Sequence, residues 1–202
     1  LYYDSSLDLS SEEFKTLLSI AKTYKVYICI GVIEKDRGTL YCTVLFISPD
    51  GLLIGKHRKL MPTAMERLIW GFGDGSTLPV VETPLGKIGA VICWENYMPM
   101  MRMAMYSQGI QIYCAPTADD RETWISTMRH IAIEGRCFVF SSCQYIAQED
   151  CPAVYDNYFR KSESKVLMNG GSSIISPFGE IISGPFRDGK KILYADINID
   201  EI

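Results

Sequence analysis

Apolar positions along the chain follow a helical period first and strand-like runs afterwards. The first set recurs three and four residues apart, at Phe14, Leu17, Leu18 and Ala21. This period predicts an α-helix over residues 11–24, and the capping-box spacing of Ser10 and Glu13 makes Ser10 the expected N-cap. Residues 26–33 are apolar almost without interruption and rich in β-branched side chains, which predicts a strand buried on both faces.

Turn residues divide the next apolar stretches into two hairpins. The turn Ser48-Pro49-Asp50-Gly51 separates residues 40–47 from residues 52–59, and such a turn between two apolar runs predicts a β-hairpin. The turn at residues 83–86 (TPLG) predicts a second hairpin, whose second strand ends at Cys93.

The chain beyond Cys93 mixes helices and strands without strict alternation. The expected elements are helices to about residue 108 and over 121–135, strands over 111–115, 137–142, 172–176, 180–183 and 192–196, and a long polar loop over 144–169. Such a mixture favours an α/β fold of stacked layers.

The composition limits the class of protein. With 202 residues, of which 48% are hydrophobic and 22% charged, the chain is long enough to bury a core as one globular domain over residues 1–202. A net charge of −4, with no basic cluster longer than residues 56–59, argues against a nucleic-acid partner. No apolar run approaches the ~18 residues of a membrane span, and the start lacks a signal-peptide pattern, so we expect no membrane partner.

Cysteine usage points to a compartment and to one candidate nucleophile. Seven cysteines, an odd number without a Cys-x-x-Cys pair, predict reduced thiols in the cytoplasm and neither a metal nor another cofactor. Cys93 differs from the others because an apolar strand ends there and a helical stretch follows. A thiol on a sharp strand-to-helix turn projects into a cleft, where helix N-terminal amides favour the thiolate. Most buried cysteines are inert, so the position alone assigns no role.

Several motifs accompany Cys93 in a fixed order along the chain. They are GKHRKLMPT (55–63), ER (66–67), WGFGDG (70–75), TPLGK (83–87), CWEN (93–96), APT (115–117) and HIAIEG (130–135). In these motifs the chain resembles the nitrilase superfamily, whose catalytic set is a Glu, a Lys in an Arg-Lys-(Leu/Ile) segment and a Cys. Cys93-Trp94-Glu95 resembles the nitrilase branch itself, because amidase branches tend to carry Cys-(Tyr/Phe)-Asp.

The resemblance covers essentially all 202 residues and implies a four-layer α-β-β-α sandwich. Proteins of this fold commonly dimerise through helices, so we expect a homo-oligomer, at least a dimer. The family's general-base Glu lies in a Phe-Pro-Glu segment, and no such segment precedes Lys59 here. We therefore expect a chain truncated at its N-terminus, without the first β-α-β portion of the domain.

The resemblance also implies three catalytic residues. Cys93 is expected to add to the carbon of a small organic nitrile, giving a thioimidate that water converts to an acyl thioester and ammonia. A second water then releases the carboxylic acid. Lys59 is expected to favour the thiolate and to stabilise the tetrahedral intermediates, and Glu66 is expected to position Lys59. The alternatives are a surface lysine at a strand end and a solvated carboxylate at a helix start.

Three further residues are expected to contact the substrate. Trp94 offers a backbone amide to an oxyanion and a ring to the pocket wall; the alternative is a buried aromatic of the turn, and the two roles are compatible. By resemblance, Pro116 and Thr117 line the pocket. The other polar residues of interest are interpreted as structural: Glu95, which would order the turn, His57 and His130.

Other functions stay open on the sequence. The same chemistry supports cyanide hydratase activity or nitrile-to-amide hydration, in which the tetrahedral intermediate expels the thiolate and not ammonia. An amidase on the same fold is a further alternative. A different class of answer is a catalytically incomplete fragment or assembly piece, because the strand with the base is absent. The products of turnover and the sequence upstream of Leu1 would distinguish these hypotheses.

Overall fold

In a computed structural model that describes residues 2–155 and 164–202, the chain divides into two units, Leu1–Ile110 and Gln111–Ile202. Helix α1, Glu12–Tyr24, opens the first unit as its apolar period predicts. The predicted cap is wrong by one residue, because the hydroxyl of Ser11 accepts the Phe14 N–H at 3.3 Å. Ser10 instead donates its N–H and its hydroxyl to the Asp8 carboxylate, at 2.8 and 2.6 Å.

The first unit contains a four-stranded sheet in sequence order. Its strands are β1 (Leu7–Asp8), β2 (Ile28–Asp36), β3 (Thr39–Ile47) and β4 (Leu53–Arg58). Strand β1 is parallel to β2, and the other neighbours are antiparallel. The predicted β3–β4 hairpin is confirmed, since the Gly51 N–H donates to the Ser48 carbonyl at 2.9 Å and closes the turn.

Helix α1 covers one face of this sheet. The buried side chains of the contact are Phe14, Ala21, Leu45 and Ile47, with Ile28, Ile30 and Val32 packed against them. Strand β2 was predicted to be buried on both faces, and this is wrong: its residues are mostly half-buried, and Gly31 is exposed. Alternate residues of a strand point to opposite faces, so α1 shields only the even-numbered positions of β2.

The first unit also contains a second hairpin and a second helix. The hairpin pairs β5 (Val80–Thr83) with β6 (Gly86–Ala90) in antiparallel register, which confirms the prediction from the TPLG turn. Helix α2, Pro99–Tyr106, follows, with Met101 and Met105 buried.

The described part of the second unit contains a sheet and a long helix. Its elements are β7 (Ile112–Thr117), α3 (Glu122–Gly135), β8 (Phe138–Cys143), β9 (Tyr145–Ala147), β10 (Val166–Ile175) and β11 (Ile181–Arg187). Strands β7 and β8 are parallel and joined through α3, whereas β10 is antiparallel to β8, β9 and β11. Helix α3 packs on β8 and β10 through a buried stripe: Trp124, Ile125, Met128, Ile131 and Ala132.

Two sequence predictions in the second unit are wrong. The expected loop over residues 144–169 contains β9, which pairs with the first half of β10; residues 156–163 of that loop lie outside the described part of the chain. The strand expected over residues 192–196 is absent, and that segment is irregular. Within the described ranges, none of the helices is long and apolar enough to cross a membrane.

A charged cluster lies on the helix-covered face of the first sheet. The buried Glu34 carboxylate accepts hydrogen bonds from Thr43 at 2.8 Å, Lys56 at 2.5 Å and Arg58 at 2.9 and 2.7 Å. Burial raises the pKa of Glu34, but the bonds from Arg58, Lys56 and Thr43 outweigh it and hold the pKa at about 2, below the ordinary 4.5. The carboxylate is therefore ionised over most of the acidic range.

We predict that Glu34→Gln lowers the free energy of unfolding by about 3 kcal/mol at pH 7, because the depressed pKa is a contribution to stability. A depressed carboxyl pKa stabilises the fold above the unfolded value of 4.5, and this contribution is lost as the pH falls towards 2. The difference between variant and wild type should therefore shrink between pH 4.5 and pH 2. Urea unfolding across this range measures it.

The matched control is Glu12→Gln, which removes an exposed carboxylate paired with Lys15 at 2.6 Å. It should leave the unfolding midpoint unchanged, because exposed ion pairs contribute little. A Glu34→Gln deficit that stays constant from pH 7 to pH 2.5 would contradict the assignment.

Candidate active site

Lys59 is a buried lysine directly after strand β4. Its backbone N–H donates to the Cys42 carbonyl at 2.8 Å, so the ladder between β3 and β4 continues to this residue. Because side chains alternate along a strand, Lys59 shares a face with His57 and lies opposite the face of Arg58. Only 1% of Lys59 is exposed, which excludes the alternative of a surface lysine.

The Lys59 ammonium is held by two oxygen atoms. It donates to the Thr63 hydroxyl at 2.8 Å and to the Glu66 carboxylate at 2.7 Å. Glu66 lies in a short 3-10 helix, Ala64–Leu68, and the same carboxylate oxygen accepts the Thr63 N–H at 2.5 Å. A helix-start carboxylate therefore also neutralises a buried cation, as a residue that positions Lys59 would.

The WGFGDG motif supports this strand end through its backbone. The Gly71 N–H donates to the Leu40 carbonyl at 2.7 Å, and the Gly73 N–H donates to the Lys59 carbonyl at 2.8 Å. A Cβ atom at Gly73 would overlap the carbonyl oxygen of Arg58. Glycine is required at position 73 because the two backbones approach so closely.

Cys93 occupies a turn between β6 and α2. Strand β6 ends at Ala90, and Cys93 is the first residue of a 3-10 helix, Cys93–Tyr97. The predicted α-helix begins only at Pro99, so the argument from α-helical N-terminal amides does not apply to this thiol. Cys93 has φ +50°, a left-handed conformation that costs energy for a residue with a side chain and is common at functional sites.

Glu95 joins the Cys93 turn to the strand end that carries Lys59. One carboxylate oxygen accepts the Ile92 N–H at 2.9 Å, and the other accepts the Leu60 N–H at 2.6 Å. A single buried carboxylate thus bonds to the residue before Cys93 and to the residue after Lys59.

Asn96 also stabilises the turn, a role that the sequence motifs did not predict. Its side-chain amide donates to the carbonyls of Val91 at 2.9 Å and Cys93 at 2.7 Å, and Asn96 is completely buried. The sequence could have indicated this role, because Asn and Asp side chains commonly bond to the backbone of a nearby turn and Asn96 is three positions after Cys93.

A second thiol lies beside Lys59. Cys42 hydrogen bonds to the Lys59 backbone through its carbonyl, and burial raises the pKa of its thiol to about 12 although the Lys59 charge opposes this. Cys42 is therefore a protonated thiol at neutral pH, and proximity to Lys59 alone does not create a thiolate.

The predicted substrate-binding residues lie in both units. Trp94 is 44% exposed and packs edge-to-face on Tyr97 with ring centroids 5.6 Å apart, so it is not the buried aromatic of the alternative. Pro116 and Thr117 are the last two residues of β7 in the second unit, and the Thr117 hydroxyl accepts the Asp119 N–H at 3.0 Å.

The two histidines differ in their surroundings. His57 is completely buried and bonds to the Glu95 carboxylate, whereas His130 forms an exposed pair with Glu134 at 3.4 Å on helix α3. Across residues 2–155 and 164–202, no three His, Cys, Asp or Glu side chains form a group that could hold a metal ion.

Comparisons with known proteins identify the family of the chain. The model of the carbon-nitrogen hydrolase family matches residues 1–202. A nitrilase of Bradyrhizobium diazoefficiens is 58% identical over 202 residues, all of this chain and 63% of that protein. An aliphatic nitrilase of Sinorhizobium fredii is 55% identical over 201 residues, covering all of this chain and 65% of that protein. A bifunctional nitrilase/nitrile hydratase of Lupinus angustifolius is 52% identical over 206 residues, covering all of this chain and 59% of that protein.

The chain therefore spans between 59% and 65% of the length of these curated relatives. Among solved structures, a carbon-nitrogen hydrolase of Helicobacter pylori G27 aligns with a TM-score of 0.78 and 22% identity, covering 94% of this chain and 68% of that one. Similarity at this identity shows the fold, and the predicted α/β fold class of the nitrilase and carbon-nitrogen hydrolase type is confirmed.

We predict that Cys42 and Cys137 resist alkylation by iodoacetamide at pH 8 in the folded protein. Burial raises the pKa of each thiol to about 12, and the thiolate is the reactive form. Peptide mass spectrometry after a timed reaction gives the modified fraction at each site. The same reaction in urea should label both, and labelling of Cys42 in the folded protein at its unfolded rate would refute the prediction.

Proposed function

Since the chain belongs to the carbon-nitrogen hydrolase family, we propose that it acts as a nitrilase, converting an organic nitrile to the carboxylic acid and ammonia. The observation that carries the proposal is the link between Lys59 and Cys93. The Glu95 carboxylate bonds to the backbone next to each of them, and the Lys59 ammonium is buried and paired with Glu66. The names of the two relatives at 58% and 55% identity support the choice of a nitrile over an amide.

The nitrile carbon is a weak electrophile, so the reaction needs a soft nucleophile and a nearby cation. The Cys93 sulfur adds to this carbon while the thiol proton passes to the nitrile nitrogen, which gives a thioimidate. Water adds next, and the tetrahedral intermediate expels ammonia to leave an acyl thioester on Cys93. A second water releases the carboxylic acid and regenerates the thiol.

Lys59 acts on the charged species of this sequence. A buried ammonium favours the thiolate and the anionic tetrahedral intermediates, because opposite charges attract strongly where water is excluded. Glu66 and Thr63 hold the ammonium in place through bonds of 2.7 and 2.8 Å. This arrangement leaves Lys59 as the cation of the site and Glu66 as the residue that positions it.

We predict that Cys93→Ala abolishes ammonia release from nitriles while the protein stays folded, because without the thiol neither the thioimidate nor the acyl thioester can form. Cys114→Ala and Cys143→Ala are the matched controls and should keep rates within about threefold, as expected for structural thiols. The assay uses the complete protein encoded by the gene, because this chain spans only part of its relatives. Substantial turnover by Cys93→Ala would refute the mechanism.

Nitrile hydration to the amide is the second candidate, favoured by the relative named a bifunctional nitrilase/nitrile hydratase. It differs at one step, where the tetrahedral intermediate expels the Cys93 thiolate and keeps its nitrogen. We expect acid and ammonia in equal amounts, with amide as a minor product. Chromatography of the products with an ammonia assay measures the ratio, and amide without ammonia would establish hydration instead.

A further inference from the structure

The buried side chains of His57 and Glu95 take no part in the bond-making steps proposed above. His57 is 0% exposed and Glu95 is 1% exposed, and both lie in the first unit. The His57 Nε2 atom is 3.1 Å from each oxygen of the Glu95 carboxylate. Burying an ionisable pair is costly unless its hydrogen bonds are complete, so its contacts indicate what it does.

The hydrogen bonds of His57 hold its ring on both sides. The Nδ1 atom is 2.5 Å from the Thr77 carbonyl oxygen, which accepts a hydrogen bond from the ring. The Nε2 atom faces both oxygens of the Glu95 carboxylate. The ring is fixed from both sides, and it fixes the carboxylate in turn.

The remaining positions on the Glu95 carboxylate are taken by two backbone amides from separate segments. The Leu60 N–H belongs to the segment after β4 and the Ile92 N–H to the turn before Cys93. His57 is two residues before Lys59 and shares its face of the sheet. His57 therefore belongs to the segment of Lys59, and Glu95 bonds both to that segment, at Leu60, and to the turn of Cys93, at Ile92.

We propose that the pair of His57 and Glu95 is a positioning pair, which fixes the segment of Cys93 against the segment of Lys59 and so sets the separation of thiol and ammonium. The inference rests on the proposed function, because it takes Cys93 as the nucleophile. His57 orients the Glu95 carboxylate, and Glu95 makes the two backbone bonds. The hydrogen bonds of the two side chains join them to each other and to the backbone of Thr77, Leu60 and Ile92.

The first test replaces the carboxylate by an amide. In Glu95→Gln one oxygen remains to accept a backbone N–H, and the new NH2 group faces the other N–H, so two donors oppose each other. We expect kcat to fall about 100-fold, the effect of a displacement of about 1 Å at an active site, with KM within about threefold. His57→Gln removes the bond to Thr77 and should lower kcat in the same direction.

The kcat of the double variant distinguishes a positioning role of the two residues from general destabilisation of the protein. If they act as one unit, the double variant should be no slower than Glu95→Gln alone, because the single change already releases the turn. Independent contributions would multiply. The matched control is Glu34→Gln, which also changes a buried carboxylate to an amide. Glu34 lies on the opposite face of the first sheet from His57, so the variant should lose stability but keep kcat.

A second readout does not depend on nitrile turnover. The alkylation rate of Cys93 at pH 7, followed by peptide mass spectrometry, should fall about tenfold in Glu95→Gln, because the thiolate loses its fixed cation. It should be unchanged in Glu34→Gln. If the wild-type protein hydrolyses no nitrile but this pattern holds, the proposed function fails and the positioning pair stands.

Two outcomes overturn the inference. One is nitrile hydrolysis by Glu95→Gln with kcat and Cys93 alkylation within about threefold of wild type. The other applies even if both variants fail to fold: in the wild-type protein the Leu60 and Ile92 amide protons should exchange with solvent at similar rates, because one opening exposes both. If the two exchange rates differed by more than about tenfold, the two amides would not share Glu95 as a common acceptor, and the inference would be refuted.

Discussion

The site depends on one carboxylate that bonds to two distant segments of backbone. Glu95 accepts hydrogen bonds from the backbone N–H groups of Leu60 and Ile92, which lie 35 and 3 positions earlier in the chain. Two N–H groups at the end of a strand and at the start of a turn would otherwise be buried without partners, at a cost of about 1–3 kcal/mol each. Satisfying both with the same side chain ties the position of Cys93 to that of Lys59, so stability and site geometry have the same origin.

The alternation of strand β4 separates two kinds of electrostatics. Lys56 and Arg58 point to the helix-covered face, where both pair with Glu34, Arg58 also pairs with Asp36, and the pKa of the Glu34 carboxyl is held at about 2. His57 and Lys59 point to the other face, where each meets a different carboxylate, Glu95 or Glu66. Four consecutive basic residues would repel one another on one surface, and the period of the strand distributes them between two. The four residues of the KHRK motif therefore belong to two charge clusters, one around Glu34 and one around Glu95 and Glu66.

What the sequence could predict was local or carried by resemblance. The helix Glu12–Tyr24 and the two hairpins follow from periods and turns within a few residues, and the structure confirms them. The N-cap is Ser11 because Ser10 is already hydrogen bonded to the Asp8 carboxylate. Strand β9 forms because it pairs with Val166–Asn169, about twenty residues later in the chain. Non-local pairing leaves no periodic signal in so short a strand. The proximity of Glu66 to Lys59 followed from resemblance alone, and the bond between His57 and Glu95 had no signal in the spacing of the chain.

The conformation of Cys93 shows why the residues after the nucleophile are polar. A φ of +50° is strained for cysteine and persists only if neighbouring contacts over-determine the turn. Asn96 binds the carbonyls on both sides of the strain, and Glu95 binds the amide that precedes it. Because both side chains are buried, these bonds compete with no water, and an apolar residue at either position would leave the turn free to relax into an extended conformation. Glu95 and Asn96 position the thiol as much as the strand that leads to it does.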